Sequence, residues 1–238
     1  MSAAVSQTDS RTRPLRVVAI DGPAGAGKST VARLLARKLG FDYLDTGAMY
    51  RAATWHALHS GIPMDSPDAL TEAVASMDLR LEPGPEGMRV WVGDTEVTGV
   101  IRDPEITANI WRVDQVPGVR QVLVRWQRTF GETHDTVAEG RDMGTVVFPD
   151  APCKIYMDAT PECRAKRRAA ELAAKGLAVD PDQVLREIVE RDHKNMTRAV
   201  SPLRKAENAV LLDTSDLPLD EVVARALAIA RERLGIPA

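Results

Sequence analysis

The sequence predicts an α/β protein in which a five-stranded parallel sheet carries helices on both faces. Short predicted strands, of which the first is β-branched, alternate with helical segments, which is the pattern of a parallel sheet. A glycine-rich loop, reading IDGPAGAGKST at residues 20–30, joins the first strand to the first helix. Polar and charged residues follow directly after several strands, and ligands bind at the carboxyl ends of the strands in such sheets.

The loop fits the phosphate-binding pattern G-x-x-x-x-G-K-[ST] from Gly22 to Ser29. Its glycines let backbone N–H groups point at phosphate oxygens, Lys28 supplies positive charge to the β- and γ-phosphates, and Ser29 offers a hydroxyl to Mg²⁺. The alternative is an accidental glycine-rich turn. The strand at 16–20 and the helical spacing up to Gly40 favour the phosphate loop. The predicted nucleotide-binding residues are Gly22, Pro23, Ala24, Gly25, Ala26, Gly27, Lys28, Ser29 and Thr30.

The next elements interrupt the α/β pattern. A second strand and its helix are followed by a turn-rich break, a further helix, a run of period two and a long helical stretch. Because the period-two run reads as a small antiparallel meander, we interpret this part as an insertion into the core. The predicted ranges are 41–44 (strand), 48–59 (helix), 61–67 (break), 68–77 (helix), 78–100 (meander) and 104–130 (helical).

The α/β alternation then returns. Two more strands come first, and helices start at Thr160-Pro161 and at Asp180, each with a capping residue. A fifth strand and an amphipathic helix close the chain. The predicted ranges are 136–139, 154–158 and 209–213 (strands) and 219–234 (helix).

Three further groups of polar residues are candidates for a site. Thr46 and Arg51 begin the helix after the second strand, and Arg141 and Asp142 follow the third strand. The third group, Arg191, Asn195 and Arg198, has the spacing of one helix face, which we expect Ser201-Pro202 to end. Arginine forks on such a face stabilise the charge of a transferring phosphoryl group. The alternatives are an ordinary helix cap, a local salt-bridged loop and a solvated charged face.

Bulk properties exclude several functional classes. The 238 residues carry a net charge of −3, which argues against bulk binding to nucleic acid, and 44% of them are apolar, which argues against disorder. No apolar run approaches the roughly 20 residues that cross a bilayer. Residues 1–14 are Ser-, Thr- and Arg-rich, so we expect a disordered tail rather than a targeting peptide.

The remaining chemical groups give weaker signals. Cys153 and Cys163 do not form a CxxC motif, so we expect buried thiols and a reduced, cytoplasmic setting. The four histidines show no metal-ligand spacing. We expect the four tryptophans to pack in the core rather than to stack on a base.

The motifs, taken in order, resemble those of the bacterial cytidylate kinases, a family of nucleoside monophosphate kinases. The resemblance runs from about residue 16 to residue 234. It implies a P-loop kinase core at 15–60 and 134–238, a short lid at about 164–190 and an inserted monophosphate-binding domain at 61–133. The matching segments are IDGPAGAGKST, LDTGAMYRA, IRDPEITAN, EGRDMGTVVFPDAP, RDHKNMTRAVSPL and LLDTS.

The resemblance also implies a role for each site residue. Lys28 and Ser29 would contact the ATP phosphates and Mg²⁺, and Thr46, Arg51 and Arg141 would clamp the acceptor phosphate. Arg120 and Asp142 would read cytosine, Arg191 and Asn195 would contact the sugar, and Arg198 would close on the phosphates. Lys28, Arg191 and Arg198 are the expected catalytic residues.

Two positions depart from the family pattern. Many relatives carry Asp where this chain has Asn195, which keeps an acceptor oxygen but lacks the charge. Trp111 falls where relatives place a serine that helps to read cytosine, if the alignment has no gap. Both departures bear on the choice of base and sugar.

The implied activity is transfer of a phosphoryl group from ATP to CMP or dCMP, with Mg²⁺. The expected partners are these small nucleotides, with no nucleic acid or membrane, and the chain is expected to be monomeric. A kinase for another small acceptor such as UMP, or a nucleotide-binding switch with little turnover, remains an alternative.

Overall fold

The computed structural model of the chain describes residues 16–84, 87–174, 176 and 178–237. The predicted N-terminal tail at 1–14 lies outside these residues. The elements in chain order are β1 (Val17–Asp21), α1 (Lys28–Leu39), β2 (Asp42–Asp45), α2 (Thr46–His59), α3 (Pro67–Ser76), β3 (Leu79–Gly84), β4 (Gly87–Val92), β5 (Thr95–Glu96), α4 (Pro104–Asp114), α5 (Pro117–Thr133), β6 (Thr136–Gly140), β7 (Cys153–Asp158), α6 (Pro161–Ala174), α7 (Pro181–Thr197), β8 (Val210–Asp213) and α8 (Leu219–Leu234).

The large sheet has five strands in the order β2-β6-β1-β7-β8, and every neighbouring pair is parallel. All five residues of the central strand β1 are buried, as expected for a strand covered on both faces. In this order β6 and β2 lie to one side of the central strand β1, and β7 and β8 lie to its other side. The predicted α/β class and the five-stranded parallel sheet are therefore confirmed, and the carboxyl ends of the strands share one edge.

The two faces of the sheet carry separate apolar layers because alternate side chains of a strand point in opposite directions. Val18 and Ile20 pack with residues of α1 and α8, including Leu35 and Val222. Ala19 belongs to the layer on the opposite face. The predicted helices on both faces are thus confirmed.

The second layer continues from the sheet into the segment predicted as an insertion. Leu70 of α3, Val90 of β4 and Leu123 of α5 belong to the same apolar cluster as Ala19. Strands β3, β4 and β5 form the predicted antiparallel meander. The helical stretch after it is two helices, because the chain is extended at Val116 and proline at residue 117 begins α5. The domain boundary at 61–133 stays a prediction.

Helices α6 and α7 cover the predicted lid segment. Ala165, Val184 and Ile188 form a small apolar cluster of their own between the two helices. An ion pair of 2.5 Å between Arg164 and Asp192 also joins them. The apolar side chains of the pair belong to this separate cluster and not to the two layers of the sheet, which favours movement of the pair relative to the sheet.

The C-terminal end of α7 differs from the sequence-based expectation. The helix ends at Thr197, before Ser201-Pro202, and Arg198 is its C-cap with extended backbone. The backbone N–H of Arg198 still donates to the Lys194 carbonyl at 3.1 Å, but the chain then turns away. Arg198 therefore lies beyond the helix that carries Arg191 and Asn195.

Candidate active site

A large cleft of about 2020 Å³ lies at the carboxyl ends of the strands. This is larger than a typical site for one small molecule, so it has room for two nucleotides. Nearly all the predicted site residues line it, namely Ala24, Gly25, Ala26, Gly27, Lys28, Ser29, Thr30, Thr46, Arg51, Arg120, Arg141, Asp142, Arg191, Asn195 and Arg198. Gly22 and Pro23 are buried and do not line it.

The phosphate loop has the conformation that its glycines allow. Gly22 has a φ of 151°, and a Cβ atom there would lie 2.0 Å from the carbonyl oxygen of Met157, so no other residue fits. Gly27, with a φ of 85°, is the N-cap of α1. The positive end of the α1 dipole is therefore at the loop, where it favours a bound phosphate.

Lys28 is the cation of the loop, and its side chain is held inside it. The Nζ atom donates a hydrogen bond of 2.7 Å to the carbonyl oxygen of Pro23. Burial, together with repulsion from Arg141, lowers the pKa of Lys28 to about 7. A phosphate group near Nζ would favour the charged form, so the site is arranged for an anion.

Asp21 directly precedes the phosphate loop and fixes its start to a neighbouring segment of the chain. This role was not identified from the sequence. The Asp21 carboxylate accepts hydrogen bonds from the backbone N–H groups of Met143 at 2.7 Å and Gly144 at 2.8 Å. Burial raises its pKa to about 6. These bonds join β1 to the short π-helical turn Met143–Val147, which follows Arg141 and Asp142 in the chain. The position of Asp21 directly after a buried strand was the signal available in the sequence.

Arg164 contacts the loop from α6, a second role that sequence reasoning missed. Its guanidinium donates to the carbonyl oxygen of Ala24 at 3.1 Å and pairs with Asp192 of α7. The loop and the predicted lid helices are therefore connected by one buried arginine.

The end of β2 places Thr46 and Arg51 in the cleft. The Asp45 carboxylate accepts from the N–H of Ala48 at 2.9 Å, so this residue caps α2. The hydroxyl of Thr46 donates to the carbonyl oxygen of Glu139 at 2.7 Å. Arg51 donates to the side chain of Thr107 at 2.9 Å, and burial together with repulsion from Arg191 lowers its pKa.

Arg141 lies between the phosphate loop and the other arginines. It donates a hydrogen bond of 3.0 Å to the carbonyl oxygen of Gly22. Burial and the nearby positive charge of Arg191 lower its pKa to about 10. Several cations that repel one another in one cleft form a site for polyanions, because bound phosphates would relieve the repulsion.

Arg120 and Asp142 form a buried ion pair with each other. The guanidinium of Arg120 also lies over the ring of Tyr50, with 5.4 Å between its central carbon and the ring centroid. The pair joins α5 to the end of β6. It therefore places one carboxylate and one guanidinium in the lining of the cleft.

The third predicted group does not form one regular helix face. Arg191 is exposed to the cleft, and the Arg198 side chain is 6% exposed. Two buried nitrogen atoms of the group, Nδ2 of Asn195 and Nη2 of Arg198, have no hydrogen-bond partner in the described part of the chain. Such atoms are suited to receive a polar ligand.

Comparison with known proteins shows the family of the chain. The sequence model of the family described as cytidylate kinase matches residues 18–232. A cytidylate kinase from Carboxydothermus hydrogenoformans is 47% identical over 212 residues, which are 89% of this chain and 96% of that protein. The chain belongs to the cytidylate kinase family. A cytidylate kinase from Rhodococcus opacus is 47% identical over 221 residues, 92% of this chain and 96% of that protein. One from Exiguobacterium sp. is 48% identical over 206 residues, 87% of this chain and 92% of that protein.

In this member of the cytidylate kinase family, the expectation that all four tryptophans pack is wrong for Trp111. Its side chain is 53% exposed and lines the cleft. Helix α4 packs through Ile106 and Val113, and Trp111 falls outside that face. By contrast, Trp55 and Trp126 pack against the core as expected.

Ser29 fits the expected position for Mg²⁺. It lies in the first turn of α1 and is exposed to the cleft, which Tyr43 also lines, and the phenol of Tyr43 donates to Glu139 at 2.9 Å. Among the described residues no group of three His, Cys, Asp or Glu could hold a metal. One hydroxyl together with phosphate oxygens and water suits Mg²⁺, which usually retains several waters.

The two cysteines were expected to be buried, and no segment was expected to cross a membrane. Cys153 is buried as expected, whereas the thiol of Cys163 is partly exposed and donates to the carbonyl oxygen of Ser215 at 3.3 Å. Within the described ranges, no helix has the length and apolar content needed to cross a membrane.

Proposed function

We propose that the protein transfers the γ-phosphoryl group of ATP to CMP or dCMP, giving ADP and CDP or dCDP. Family membership supports this activity. The observation that carries the proposal is the position of Arg141. This residue contacts the phosphate loop that contains Lys28, and it lines the same cleft as the other arginines. Because the acceptor phosphate is already a nucleophile, the protein needs only to position and neutralise the two anions.

The donor side is built by the phosphate loop. The N–H groups at the start of α1 and the Lys28 ammonium would bind the β- and γ-phosphates of ATP. Ser29 would hold Mg²⁺ together with the phosphates, and the ion, when bound, neutralises charge on the phosphate oxygens. Lys28 would then follow the phosphoryl group as negative charge redistributes, which makes it the principal catalytic residue of the chain.

The acceptor side is built from the ends of two strands, β2 and β6, and from the helices α2, α5 and α7. Arg51 and Arg141, with Thr46, would bind the monophosphate through charge-assisted hydrogen bonds. The Arg120–Asp142 pair would read the base. Arg191 and Asn195 would contact the sugar, with Arg191 also near the reacting phosphates, and Arg198 would close on them. Movement of α6 and α7 over the cleft would exclude water and limit hydrolysis of ATP.

A coupled assay of ADP release tests the proposal directly. We expect rapid release with CMP or dCMP and much slower release with UMP or AMP. ATP binding without acceptor-dependent release would instead identify a nucleotide-binding switch. Equal rates with UMP would identify a kinase of broader acceptor range. The cytoplasmic location and the monomeric state stay predictions.

The choice of base should depend on Asp142. Its carboxylate can accept a hydrogen bond from the cytosine amino group, which uracil lacks. We expect Asp142→Asn to lower the CMP-over-UMP ratio of kcat/KM by about tenfold, because one good base contact discriminates by roughly 1–3 kcal/mol. Steady-state kinetics with both acceptors measures the ratio.

A matched control is Asp213→Asn, which removes an exposed carboxylate at the last residue of β8, outside the cleft. That variant should keep the ratio of the unmodified protein. If Asp142→Asn slows both acceptors equally, Asp142 acts on the position of Arg120 rather than on the base.

A further inference from the structure

Asp114 is a carboxylate of the cleft that the sequence analysis did not single out. It is the last residue of α4, and its side chain is 24% exposed and lines the cleft. Its Oδ2 atom lies 3.8 Å from Nη1 of Arg198, and its backbone carbonyl accepts from Nη1 of Arg120 at 3.4 Å. Asp114 therefore contacts both the base-reading pair and the arginine beyond α7.

The charges around Asp114 are mostly positive. Burial has the largest effect on Asp114 and raises its pKa, while the positive charges of Arg198, Arg120, Arg141 and Arg191 act in the opposite direction. A partly buried carboxylate among several guanidinium groups is stabilised as an anion mainly by those partners.

Two carboxylates, Asp142 and Asp114, act on the charge of Arg198, and among the described residues only Asp114 forms an ion pair with it. Arg198 lies outside the regular helix, where its Nε atom donates to the carbonyl oxygen of Ser201 at 2.6 Å. Its buried Nη2 atom has no hydrogen-bond partner in the described part of the chain. Asn195, one turn earlier on α7, is an amide and brings no negative charge to the arginine. The ion pair with Asp114 thus engages Nη1 of the guanidinium, whereas Nη2 has no partner among the described residues.

We propose that Asp114 is a positioning residue that holds Arg198 across the cleft, with its free edge toward the acceptor phosphate. The pair connects α4, within the predicted insertion, to the chain that leaves α7. Asp114 thus supplies, from α4, the negative charge that Asn195 does not supply from α7. This inference rests on the proposed role of Arg198 in phosphoryl transfer.

The test is a double-mutant cycle between Asp114→Asn and Arg198→Ala. We expect Asp114→Asn to lower kcat/KM for CMP by about tenfold while KM for ATP changes less than about twofold. In the Arg198→Ala background the same substitution should cost less than about twofold, because the residue that Asp114 positions is gone. Glu105→Gln is the matched control, since it removes an exposed carboxylate from the same helix, outside the cleft.

The outcomes separate this proposal from the proposed function. No CMP-dependent ADP release by the unmodified protein would overturn the function itself. Full activity of Arg198→Ala would overturn the positioning role, since there would be nothing to position. Additive losses in the cycle, or an equal rise in KM for ATP and CMP, would also overturn it and would leave the function intact. A loss confined to the acceptor and absent without Arg198 supports it.

Discussion

Lys28→Ala is expected to lower kcat by about 10³-fold, the size of effect seen when one preorganised donor to a transition-state charge is removed. The buried ammonium is placed for phosphate, and it donates a hydrogen bond to the carbonyl oxygen of Pro23. Because burial and Arg141 disfavour its charge, the residue contributes little to folding. We therefore expect the melting temperature to stay the same or to rise, as at other sites where function opposes stability.

The measurement pairs coupled ADP-release kinetics with thermal unfolding of the same samples. Lys38→Ala is the matched control, because it removes an exposed lysine from the last turn of the same helix. That control should keep full activity. A folded Lys28→Ala variant with normal kcat would contradict the assignment of the loop, and a large fall in its melting temperature would contradict the electrostatic argument.

The parts of the fold that the sequence predicts are those set by local pattern. Buried parallel strands are short and β-branched, so β1, β6 and β7 could be recognised from their own residues. The phosphate loop is a local motif, and Gly22 and Gly27 have the positive φ values that the motif requires. The common edge of the sheet then follows from the rules of parallel topology, which is why most candidate residues meet in one cleft.

The parts that the sequence does not predict depend on contacts between distant segments. The spacing of 191, 195 and 198 fits a helix, but the helix stops at Thr197, four residues before the expected break at Ser201. Trp111 looks like a core residue by type, yet α4 packs through another face. Asp114 has no local motif at all, and its role appears only when the end of α4 meets Arg198.

Arg141→Ala is expected to lower kcat/KM for both ATP and CMP by about 10²- to 10³-fold, since it removes a cation that would contact charge on both sides of the reaction. Its hydrogen bond to Gly22 places it against the donor loop. Its interaction with Arg191 and Arg198 places it among the acceptor arginines. A residue that serves only the acceptor would not touch the loop.

Arg51→Ala is the comparison that shows whether Arg141 acts on both substrates or on the acceptor alone. Arg51 donates to the carbonyl oxygen of Ile101 and to Thr107, both in the predicted insertion. Its loss should therefore raise KM for CMP by about tenfold or more and leave KM for ATP nearly unchanged, because a charge-assisted hydrogen bond is worth roughly 1.5–3 kcal/mol. KM measured separately for each substrate distinguishes the two arginines. If Arg141→Ala affects CMP alone, as Arg51→Ala should, then Arg141 belongs to the acceptor site only and its contact with Gly22 does not act on ATP.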